Sequence, residues 1–143
     1  GNELRSGRFR RAEQREMFEN GEKSLGDHYD AHRIALYWAD HDTNLDQALE
    51  IARNDYAEVK DIYAADILAW CLYKKGRLNE AKSMISEAMR LKTRDARILY
   101  HAGMIELALE NRTAARRLLR DAITLNPGFD IVQAERAGKA LGE

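Results

Sequence analysis

Apolar residues along the chain recur at three- and four-residue intervals. Ile62, Ala65, Leu68, Ala69 and Leu72 form one such stripe, and Leu78, Ala81, Ile85, Ala88 and Leu91 form the next. This is the spacing of amphipathic helices, and Gly76 between the two stripes suits a helix end that needs positive φ. The pattern repeats 34 residues later. Asp61, Leu68, Ala69, Ala81, Ile85, Ala88 and Leu91 fall over Asp95, Ala102, Gly103, Ala115, Leu119, Ala122 and Leu125. Stepping back by 34 places Asp27, Ala31, Ile34, Ala35 and Trp38 over Asp61, Ala65, Leu68, Ala69 and Leu72, whereas Leu45 and Ala48 precede Leu78 and Ala81 by 33. The chain therefore predicts three helix pairs, about 27–60, 61–94 and 95–128, with one extra residue in the first internal turn. Asp27, Asp61 and Asp95 are the expected N-caps. A leading helix within 1–26 and a closing helix within 129–143, with Ile131, Ala134, Ala137 and Leu141 on one side, complete an all-α chain. No unit can bury its stripe alone, so the pairs must stack.

The lengthened turn, "ADHDTNLDQALE" at 39–50, spaces Asp40, Asp42, Asn44, Asp46 and Glu50 much as oxygen ligands are spaced in a calcium loop. Such a loop needs glycine at its sixth residue and glutamate at its twelfth, and these places hold Leu45 and Ile51. The stretch reads instead as a turn leading into a helix that starts near Leu45, with Asn44 as N-cap and Asp46 and Glu50 on its outer face. His28 and His32 have the i,i+4 spacing that can hold zinc, but no third ligand is placed beside them. His101 reads as a hydrogen-bonded helix histidine and Cys71 as a small apolar residue. No nucleophile elbow, phosphate-cradling glycine loop or zincin motif is present, so no catalytic residue, metal ligand or cofactor is assigned.

Charge narrows the partners. The 23 basic and 24 acidic side chains nearly balance, which argues against a dedicated nucleic-acid binder. No apolar run is long enough to cross a bilayer, so no membrane insertion is expected, and nothing decides between a cytoplasmic and a periplasmic location. "GNELRSGRFRR" lacks the apolar core of a signal peptide and reads as a cut edge. The five arginines between Arg5 and Arg15 alternate with Glu13, Glu16 and Glu19 as a solvated helix would.

On Ala102-Gly103, Ala115, Leu119, Ala122 and Pro127, and on Ala69, Gly76, Ala81, Ile85 and Ala88, the chain resembles the tetratricopeptide repeat family across about residues 28–127. It is similar to the C-terminal block of longer bacterial members, in which case the leading helix belongs to a preceding repeat. Departures are Ala65 and Leu99 where tryptophan is frequent, Glu106 in place of tyrosine, Thr93 in place of proline, and Asp55 in place of alanine. The resemblance implies a right-handed solenoid of helical hairpins whose first helices line a concave groove for a peptide or helix.

The face opposite the core stripe is unusually rich in binding residue types. It carries Tyr29 and Leu36 in the first unit, Tyr63, Asp66, Trp70, Tyr73 and Lys74 in the second, and Arg97, Tyr100 and Met104 in the third. The expectation is a non-catalytic scaffold or adaptor that offers this aromatic groove to a protein or peptide. The competing reading is a structural segment whose groove is filled by the chain itself or by homodimerisation.

Overall fold

In the computed structural model, residues 25–126 are described, together with Arg136, Lys139 and Gly142. They form six helices: α1 Leu25–Asp40, α2 Leu45–Glu58, α3 Ile62–Lys74, α4 Leu78–Ala88, α5 Ala96–Ala108 and α6 Arg112–Leu125. There are no strands among the described residues. The expected leading helix of 1–26 and the apolar side of the closing helix lie outside them, although Arg136 and Lys139 are helical.

The helices begin and end where local chemistry requires. Asp61 caps α3 by accepting a hydrogen bond from the Ala64 amide at 2.8 Å, and Asp95 caps α5 by accepting from Arg97 and Ile98. Gly76, at φ 80°, turns the chain from α3 into α4. Two other expectations need correction. Asp27 lies inside α1 and is no N-cap, because that helix already begins at Leu25. Asn44 does precede α2, but at φ 47° its side chain makes no capping hydrogen bond.

Each pair packs on itself and then on its neighbours in sequence. The first helices α1, α3 and α5 also pack against one another, whereas the second helices α2, α4 and α6 make no close approach to each other. The layer of first helices is thus the tighter one. Helix α3 sits at the centre, with Ile62 and every residue from Ala64 to Leu72 buried. Small residues let the backbones close up: Ala35, Ala69, Ala81 and Ala115 are all at most 1 % exposed. The expected core position Leu91 is 62 % exposed, because α4 ends at Ala88 and Leu91 falls in the turn beyond it.

Candidate functional site

The face formed by α1, α3 and α5 carries a connected polar and aromatic cluster. Its centre is Asp66 on α3, fully buried as part of a helix packed on both sides. A buried carboxylate must be hydrogen-bonded, since leaving it bare would cost several kcal/mol. Its two oxygens are served by α5: His101 Nδ1 lies 2.7 Å from Oδ1, and Arg97 Nε donates to Oδ2 at 3.3 Å. These are residues a repeat away, so the pairing ties two units together.

Aromatic rings extend the cluster. The Trp70 indole stacks on Tyr73 at 4.7 Å between centroids and on the His101 ring at 4.0 Å, with Tyr100 tilted beside it at 5.6 Å. Offset stacks of this kind are favoured by the ring quadrupoles. Trp70 Nε1 donates to Asp40 of α1 at 2.9 Å, and the Lys74 ammonium lies 5.2 Å from the indole centroid. Lys74 also donates to Asp42 at 2.9 Å, and Lys75 pairs with Asp46. The alternating carboxylates of the first turn are therefore spent on the second repeat's helix end: Asp40, Asp42 and Asp46 each hold a donor from residues 70–75.

Accessibility divides the predicted site residues. Trp70, Tyr100 and Asp66 are at most 1 % exposed and lie within the packed helices. Leu36, Tyr73, Lys74, Arg97 and Met104 are partly exposed, and Tyr63 is exposed. The side chain of Tyr29 lies outside the described residues. At the α5 end this cluster is not bare, because the Arg136 guanidinium brings its charge close to both Tyr100 and Tyr73. Burial pushes the Tyr100 hydroxyl up to about 12 even though Arg136 pulls the other way. Burial also raises Tyr73, with the Asp42 charge adding to the effect.

Sequence reasoning missed two participants. His101 was legible as a helix histidine, but nothing in the spacing placed it against Asp66, and Asp40 was not assigned to Trp70. His32 Nε2 lies 2.6 Å from Asp55, whose side chain is buried in α2, and the side chain of His28 lies outside the described residues. Cys71 is fully buried, and burial, then the charges of Asp40 and Asp66, push its thiol up to about 12. A thiol held protonated in this way is no nucleophile at neutral pH.

Three helix hairpins stacked in sequence, with a polar and aromatic seam along their first helices, define a helical-repeat protein. Residues 96–129, comprising α5, α6 and the residues just beyond, match the family model described as tetratricopeptide repeat. That match and the hairpin stack support assignment of the chain to the tetratricopeptide repeat family. Comparison with curated proteins finds no matching relative. Among the described residues, no helix is long and apolar enough to cross a membrane.

Proposed function

We propose that the chain is a non-catalytic interaction scaffold that docks a peptide or helical segment of a protein partner along α1, α3 and α5. The reading is supported above all by the division of that face into residues held within the packed helices and an accessible rim. Trp70, Tyr100 and Asp66 are locked by hydrogen bonds and stacking, so they cost little entropy when a ligand lies over them. Tyr63, Tyr73, Arg97 and Met104 stand at their edges with surface to offer. An apolar or aromatic anchor would seat beside Tyr73 and Met104, and an acidic residue would meet Arg97. The repeat units 27–60, 61–94 and 95–128, with a closing helix after them, are the architecture this reading assumes.

A second reading has its own observation. Arg136 already sits against Tyr100, which supports a groove filled at one end by the chain's own closing segment. A photo-crosslinking residue at position 63, compared with one at position 86 on the exposed side of α4, separates the two. Under the scaffold reading, position 63 crosslinks to a protein in lysate and Tyr63→Ala with Arg97→Ala abolishes its capture. Crosslinks confined to residues beyond 126, or to a second copy with a mass that rises with concentration, would support the filled groove instead.

A further inference from the structure

A guanidinium is a planar fork, so the edge that is already bonded decides where its remaining donors point. Arg97 stands in the first turn of α5, and its Nε donates to Oδ2 of Asp66 at 3.3 Å. The other oxygen of Asp66 lies 2.7 Å from Nδ1 of His101, one turn further along the same helix. Asp66 and His101 are both fully buried, and the His101 ring is stacked on Trp70. The carboxylate that holds Arg97 is therefore itself held, by α3 on one side and α5 on the other. Arg97 is different, since its side chain remains 34 % exposed. Among the described residues it has no side-chain partner besides Asp66, and neither Nη group is sealed from solvent. One edge of the fork is thus committed, and the two Nη groups are open.

We infer that Asp66 is a positioning residue that aims the Nη groups of Arg97 at one side-chain carboxylate within a docked protein segment, an inference that rests on the scaffold reading above. Asp66 cannot touch a ligand, because it is buried. Its effect is to fix Arg97 beforehand, so that less side-chain freedom is lost when a partner arrives. Paired N–H donors suit a carboxylate, whose two oxygens accept side by side, whereas a glutamine of the same shape offers one. Asp66 offsets the charge of Arg97 at a distance, so selection comes from donor geometry in contact and not from a long-range field. The neighbours define the rest of the segment. Tyr63, three residues before Asp66 on α3, is 40 % exposed, and Met104, seven residues beyond Arg97 on α5, is partly exposed. The fitting occupant is therefore a single acidic residue flanked by apolar ones, not an acidic run.

The test passes three pools of short peptides over the immobilised full chain. Flanks are randomised among leucine, phenylalanine, serine and threonine, the centre is glutamate, glutamine or lysine, and acetylated and amidated ends leave the side chain as the one carboxylate. The glutamate pool is expected to be retained about tenfold over the glutamine pool, a factor that corresponds to ~1.4 kcal/mol. Asp66→Asn and Arg97→Lys should each bring that ratio close to one while the glutamine pool is still retained. A direct readout accompanies it: the Arg97 Nε–H resonance, assigned by its loss in Arg97→Lys, should exchange slowly in the native chain and fast in Asp66→Asn. Should Asp66→Asn fail to fold, Arg97→Lys carries the test, because it keeps the charge at a surface position and removes the fork. An undiminished glutamate preference in Arg97→Lys, or in folded Asp66→Asn, would overturn the inference. Equal retention of all three pools by the native chain would overturn it and leave the scaffold reading standing, and retention of none would overturn both.

Discussion

Gly103 shows how a single side chain sets the distance between two helices. A Cβ built there would lie 2.6 Å from Cδ2 and 2.7 Å from Cγ of Leu119, a residue only 1 % exposed on α6. The previous repeat has Ala69 opposite the shorter reach of Ile85 at these places, so glycine at 103 accompanies the leucine at 119. Gly103→Ala gains about 1 kcal/mol of helix propensity but meets an overpacking cost of about 1–3 kcal/mol, and should be net destabilising. Gly103→Leu should lower the denaturation midpoint much further, and a Leu119→Ala partner should restore part of the loss of Gly103→Ala in urea titrations. The acids that depart from the family pattern are explained at the same scale. Glu106 is buried on α5, where burial alone would raise its pKa, yet hydrogen bonds from Lys82 at 2.6 Å and Asn111 leave it lowered. Its contribution is therefore full above the ordinary glutamate range and lost as pH falls through the lowered folded value. Glu106→Gln should destabilise by about 1 kcal/mol at neutral pH, a hydrogen-bond figure discounted because Lys82 is 43 % exposed, and the gap to the native chain should narrow as pH falls through and below the ordinary glutamate range.

At the scale of the element, α3 and α5 have carboxylate caps, whereas the second helices α4 and α6 begin without one. Asp61→Ala and Asp95→Ala should each cost about 1 kcal/mol, and amide exchange should speed up chiefly in the first turn of the affected helix. The six helices were legible in the chain because an apolar period of 3.6 inside a longer period of 34 fixes both the elements and their order. Helix ends were legible where a cap or glycine marked them, and missed where the marker was ambiguous. Asp27 looks like Asp61 in the repeat register but sits within a helix that starts earlier, and Leu91 continues the α4 stripe past the end of the helix. The candidate face was legible as a set of residues on one side of the first helices. Its pairing was not, because Asp66 with His101 and Trp70 with Asp40 join neighbouring first helices at separations of 35 and 30 residues. Those partners depend on how far one helix slides along the next, and small residues such as Ala69 and Gly103 set that slide without naming the polar atoms it brings together.

At the scale of the whole molecule, each pair depends on its neighbours, so the place of a defect in the stack matters as much as its size. Helix α3 touches the first pair on one side and α5 on the other, whereas among the described helices α6 packs on α5 alone. Leu68→Ala and Leu119→Ala both remove a buried leucine and should each cost about 2–5 kcal/mol. Their unfolding should nevertheless look different. Trp70 stacks on His101 of α5 and so senses the third pair as well, but in a Trp70→Phe background the fluorescence of Trp38, buried in the first pair, reports on the start of the stack, while circular dichroism reports on every helix. In Leu68→Ala the defect severs the centre, and neither flank can bury its stripe alone, so both signals should fall together in urea. In Leu119→Ala the last pair should loosen first, and the dichroism midpoint should fall below the fluorescence midpoint. Coincident transitions in Leu119→Ala would mean that the Asp66, His101 and Arg97 seam binds the third pair to the second tightly enough to make the stack one cooperative unit. In that case Asp66→Asn combined with Leu119→Ala should separate the two curves.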